Sequence, residues 1–99
     1  MSKGYWIALY KKIESTDNLG IYAKLATEAI KKHGGKPLVR GGNYNTLEGE
    51  KYPRTVIWEF PTFDAANNCY NSNEYQSAWK LAKATTDINL QIVEGFSTE

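Results

Sequence analysis

Gly4-Tyr5-Trp6-Ile7-Ala8-Leu9-Tyr10-Lys11-Lys12-Ile13 is the stretch on which the fold turns. Successive side chains of a strand point to opposite faces, so Tyr5, Ile7 and Leu9 share one face and Trp6, Ala8 and Tyr10 the other. Both faces are apolar. A strand with one face in water carries polar residues at every second position, and this one therefore needs cover on both sides.

Downstream, Leu19, Tyr22, Ala23, Ala26, Ala29 and Ile30 fall on one helical stripe, with Lys24, Thr27, Glu28, Lys31 and Lys32 largely outside it. Asp17 is the expected N-cap, with Ser15 and Thr16 as alternatives. Lys31, Lys32 and His33 suit the negative end of the helix dipole, and Gly34-Gly35 ends it. Residues 36–42 read as a short strand at a sheet edge, because Pro37 cannot donate to a ladder. A polar connection, residues 43–52, leads to Arg54-Thr55-Val56-Ile57-Trp58-Glu59-Phe60, a β-branched and aromatic strand closed by Pro61. Thr62 caps a short helix bearing Phe63, Ala66 and Tyr70, and Ser72 caps another bearing Tyr75, Ala78, Trp79 and Ala82. A last strand over 87–96 alternates, with Ile88, Leu90 and Ile92 opposite Asn89 and Gln91.

Strand, helix, strand, strand, helix pair, strand is the order of a split βαβ unit. The expected fold is α+β and ferredoxin-like, an antiparallel four-stranded sheet with its helices on one face, in a single domain spanning residues 1–99. Helices on one face leave the other bare, although the strands are apolar there too. An exposed patch of that kind calls for a partner, and a two-fold homodimer packed through the sheet faces supplies one from a single self-complementary surface. The alternative is a monomer whose aromatics all fit one crowded core.

Twelve basic and eleven acidic side chains give a net charge of +1, without the basic excess that a nucleic-acid partner calls for. No apolar run approaches the roughly 20 residues that span a bilayer, so no membrane partner is expected. Met1-Ser2-Lys3-Gly4 runs directly into the first strand with no apolar signal segment, and the lone Cys69 fits a reducing compartment; both point to the cytoplasm. One His and one Cys make a protein-built metal site an unpromising reading, and no cofactor is expected; a haem on His33 is the formal alternative to His33 as a helix cap.

Glu59 is the most informative polar residue, because a carboxylate inside an apolar strand is expensive to bury without a partner. It is a candidate general base or substrate anchor, or else half of an ion pair with Arg40 or Arg54. Arg40, Arg54 and the loop residue Glu48 frame a candidate pocket mouth, where two guanidiniums can grip a carboxylate; the competing reading is a salt-bridge cluster. Tyr75 and Trp79 are candidate walls, with Trp58 and Trp6 as floor, although aromatics at such spacing commonly serve as core. The Tyr75 hydroxyl is a candidate for polarising a carbonyl.

Several segments, in order, resemble one known family: Gly4-Tyr5-Trp6-Ile7-Ala8, the run Gly34 to Gly42, Leu47-Glu48-Gly49, the run Arg54 to Pro61, the run Cys69 to Gln76, and Ile92-Val93-Glu94-Gly95. As a set they are similar to the domain of unknown function 1330 family, within the dimeric α/β-barrel superfamily. Asn73, where that family commonly has proline, and His33 depart from its pattern. The resemblance implies a ferredoxin-like dimer and carries no established reaction. Superfamily members include cofactor-free monooxygenases, muconolactone isomerases and haem-dependent enzymes, so the fold alone does not select a chemistry. Two readings stand: a cofactor-independent isomerase-like or oxygenase-like enzyme on a small acid or carbonyl compound, and a non-catalytic ligand-binding or stress-associated module. RNA binding, a third use of this topology, is opposed by the charge balance.

Overall fold

Strand β1 (Gly4–Ile13) lies inside the sheet, antiparallel to β3 (Arg54–Phe60) on one side and to β4 (Thr86–Glu94) on the other, while β2 (Lys36–Arg40) pairs with β3 at the edge. The computed structural model describes residues 2–96; Met1 of the opening stretch lies outside them. Helices α1 (Thr16–Lys32), α2 (Phe63–Tyr70) and α3 (Asn73–Lys80) complete the ferredoxin-like order β2-β3-β1-β4, with a short 3₁₀ turn at Lys83–Thr85 before β4. The extents of 42 × 36 × 17 Å describe a slab only two layers thick.

Each helix begins where a hydroxyl satisfies an otherwise unpaired backbone N–H. Ser15, not Asp17, is the N-cap of α1, accepting from the Asn18 N–H at 3.1 Å, and Asp17 sits in the first turn where its charge suits the dipole. Thr62 accepts from the Ala65 N–H at 3.0 Å and Ser72 from the Tyr75 N–H at 3.2 Å, as the sequence predicts. The His33 ring does cap α1, its Nδ1 lying 2.9 Å from the Ala29 carbonyl oxygen. β2 stops at Arg40 rather than Gly42 because Gly41 and Gly42 take φ of 74° and 94°, which no extended strand tolerates. β4 spans Thr86–Glu94 rather than 87–96, and the Gly95 N–H closes its end on the Lys3 carbonyl at 2.7 Å.

The core lies between the helices and one sheet face. Trp6, Ala8 and Tyr10 of β1 and Val56, Trp58 and Phe60 of β3 are buried there, under Tyr22, Ala26, Ala29 and Ile30 of α1. Trp6 is the hub, stacked on Phe60 at 5.9 Å and meeting Tyr75 edge-on at 4.8 Å, both favourable ring arrangements. On the opposite face, Tyr5, Ile7 and Leu9 pair across the ladder with Glu59, Ile57 and Thr55, and these side chains are only half buried. No helix among the described residues covers them.

Candidate functional site

Three rows of side chains cross the helix-facing side of the sheet, and their sizes make a cavity. Trp6 opposes Trp58 in the first row, Ala8 lies between Val56 and Leu90 in the second, and Tyr10 lies between Arg54 and Ile88 in the third. The middle row is short, and α1 lays Ala23 and Ala26 against the same space. Small side chains from both layers thus meet between bulky aromatic rows that hold the layers apart. A cavity of about 40 Å³ results.

Two guanidiniums reach this space. Arg40 stands with its Cζ 5.5 Å from the centre of the Trp58 ring and donates from Nη2 to the Thr27 hydroxyl at 3.3 Å. Arg54 lies 5.9 Å from the centre of the Tyr10 ring and packs against Gly41, where any Cβ would collide with the guanidinium. Arg40, Arg54, Trp6 and Trp58 all line the cavity.

Behind the wall, the Tyr22 and Tyr75 hydroxyls are 2.8 Å apart, and Trp79 meets the Tyr22 ring edge-on at 5.5 Å. Tyr75 and Trp79 therefore support a lining residue rather than line the cavity themselves. Burial pushes the Tyr22 phenol far above its ordinary range, and the neighbouring Tyr75 and Tyr10 phenols push it further. Burial also raises Tyr75, against the opposing effect of the hydrogen bond it shares with Tyr22, and raises Tyr10, against the pull of Arg54. All three phenols hold their protons at neutral pH. Tyr10 and Tyr22 were not singled out from sequence; Tyr10 gains its place from its register against Arg54, and Tyr22 looks like any other stripe residue of α1.

Glu59 is elsewhere. It lies on the open sheet face, where it accepts from Lys3 Nζ at 3.1 Å and from the Tyr5 hydroxyl at 3.3 Å. The Lys3 ammonium holds its carboxyl below the usual carboxylate range. The expected Arg40–Glu59 partnership is thus corrected: the two side chains lie on opposite faces of the sheet, and Glu59 pairs with Lys3. Glu59 and Tyr75, both considered for proton transfer, are likewise separated by the sheet. Glu48 is exposed in the β2–β3 connection and does not line the cavity. That connection instead turns to the open face, where Glu50 pairs with Lys11 at 2.6 Å and the Asn89 amide donates to the Tyr52 hydroxyl at 2.9 Å.

Cys69 is fully buried, its thiol directed at the Ala29 carbonyl and pushed up to about 12 by burial and by Glu74. Only a thiolate alkylates readily. Native protein at mildly alkaline pH should resist maleimide by intact-mass measurement and label fully once unfolded in denaturant; rapid native labelling would contradict this burial. Among the described residues no group of three or more His, Cys, Asp or Glu is placed to hold a metal ion, and no helix is long and apolar enough to cross a membrane.

Sheet order and helix placement define a ferredoxin-like α+β fold. The chain belongs to the family described as domain of unknown function (DUF1330), which matches residues 3–96. No curated protein matches it. Among solved structures, it is similar to a protein of unknown function from Rhodopseudomonas palustris, at 18% identity and a TM-score of 0.75, over 97% of this chain and 84% of that one. A dimeric ferredoxin-like protein of unknown function from Jannaschia sp. CCS1 matches at 12% identity and a TM-score of 0.62, over 92% and 97%. An ethyl tert-butyl ether d (ethd) family protein from Bacillus halodurans matches at 17% identity and 0.59, over 97% and 100%. Identities this low carry the fold and no activity.

Proposed function

We propose that this chain is the subunit of a homodimer, packed through the open sheet faces, that binds one small, partly apolar acid or carbonyl compound per subunit. The carrying observation is the alanine-walled cavity with Arg40 and Arg54 reaching into it and Trp6 and Trp58 along its apolar side. Guanidiniums beside an enclosed apolar space match a ligand with a polar head and a short apolar body. The dimeric form of ferredoxin-like neighbours supports self-association. A near-neutral charge balance favours neither nucleic acid nor an anionic membrane surface, and a single buried thiol suits the cytoplasm.

Binding is favoured over acid–base catalysis, because the one carboxylate considered as a base, Glu59, is separated from the cavity by the sheet. A thermal-shift screen of short aliphatic acids and carbonyl compounds tests the proposal. Ligand at about 100 times its Kd stabilises by about 2.7 kcal/mol, a shift of roughly 10 °C or more for a chain this size. Arg40→Ala and Arg54→Ala should each weaken the hits by about tenfold, the loss of one charge-assisted hydrogen bond. Hits that survive both substitutions unchanged would show that the arginines are structural.

A further inference from the structure

The polar groups of the cavity lining are guanidiniums, indoles and hydroxyls, and every one of them can donate. Arg40 and Arg54 have no acceptor atom. The Thr27 hydroxyl already accepts from Arg40, which leaves its own proton to give. Among the described lining residues there is no Asp, Glu, His, Lys or Cys.

The phenols complete the pattern by a count of hydrogens. Tyr22 and Tyr75 share one hydrogen bond, which uses one of their two protons. Were Tyr22 the donor, the Tyr75 proton would be stranded, since Tyr75 is wholly enclosed and its hydroxyl has no other partner among the described residues. A stranded buried donor is costly, so Tyr75 donates to Tyr22. The Tyr22 proton is then free for the cavity wall, which Tyr22 forms together with its neighbour Tyr10. Whether that proton acts directly or is passed through the Tyr10 hydroxyl, a residue of the cavity wall keeps a proton to give.

We infer that the cavity is an anion site that takes its ligand as a short carboxylate rather than as a neutral carbonyl compound, with Arg40 and Arg54 supplying charge, Tyr22 a neutral donor, and Tyr75 the positioning of Tyr22. This rests on the cavity being the ligand site. Size narrows the class further: an apolar cavity of about 150 Å³ holds the six heavy atoms of a benzene, so one of about 40 Å³ encloses about two. The carboxylate head therefore occupies it alone, and the carbon tail leaves by the mouth.

The test compares propionate with its neutral isostere propionamide by calorimetric titration of the full chain at low ionic strength. Propionate should bind at least about tenfold more tightly, since charged hydrogen bonds exceed neutral ones by a kcal/mol or more. Tyr22→Phe should weaken propionate by about tenfold and Tyr75→Phe by about threefold, because only the first removes the donor that meets the ligand. A purely structural role predicts the reverse order, Tyr75 being the more deeply enclosed. Equal affinity for the two probes, or a Tyr75→Phe loss exceeding that of Tyr22→Phe, overturns the anion site and leaves the cavity standing as a ligand site. Binding of neither probe, with no hits in the thermal screen, overturns both.

Discussion

Trp58→Asp should leave the chain unfolded at room temperature, with no cooperative thermal transition by circular dichroism. Trp58 is 3% exposed and faces the helices, opposite Trp6 in the first of the three rows. The substitution removes an aromatic side chain whose truncation alone costs about 3–5 kcal/mol. It then asks for a carboxylate in the same apolar site, which adds several kcal/mol more or forces the group to stay protonated. A domain of this length commands only about 5–15 kcal/mol in total. Trp58→Phe separates the effects: it keeps an apolar ring under Arg40 and should cost far less than the charge. A normal melt for Trp58→Asp would mean that this strand face does not meet the helices.

Most of the architecture was legible because each of its signals is local. The hydroxyl caps at Thr62 and Ser72, the glycines after α1 and the two-sided β1 each specify their element without reference to the rest of the chain. Even the face of Glu59 was readable, since Val56, Trp58 and Phe60 claim one side of β3 and leave Glu59 with Ile57 on the other. The position of Arg40 was not. β2 pairs Lys36 with Glu59 and Pro37 with Trp58, but then Val39 with Ile57, so Leu38 is an extra residue in the ladder. Without that bulge, alternation would put Arg40 opposite Thr55 on the open face that carries Glu59; with it, Arg40 turns to the helices and meets Trp58. A one-residue irregularity has no signature in composition or periodicity, yet here it decides which side of the sheet receives the cation. Tyr10 and Tyr22 escaped notice for a related reason: their role arises from a cavity made by the register of Ala8 against Val56 and Leu90, a pairing between distant segments.

One residue away from Trp58, the same change should have a different outcome. Ile57→Asp is expected to give a folded monomer in place of the homodimer proposed for the parent chain. Ile57 lies on the open face between Ile7 of β1 and Val39 of β2, with Tyr5, Leu9 and Val93 nearby on the same surface and Lys3, Lys11, Glu59 and Asn89 toward its margins. Side by side in the sheet, these apolar groups form a band that no helix among the described residues covers. In the proposed homodimer a second copy would cover it by matching like with like across a two-fold axis, and a polar rim around an apolar centre is how such interfaces are built. In a single subunit the new carboxylate would remain in water, so the fold would lose only the difference in strand preference, about 1 kcal/mol. In the dimer it would be desolvated twice, once per subunit. At roughly 3 kcal/mol each, the pair would weaken association by about four orders of magnitude. Sedimentation equilibrium at micromolar concentration reads the mass, and circular dichroism confirms that the variant is folded. A parent chain that sediments as a monomer removes the homodimer, and an Ile57→Asp variant that remains dimeric moves the interface off this face.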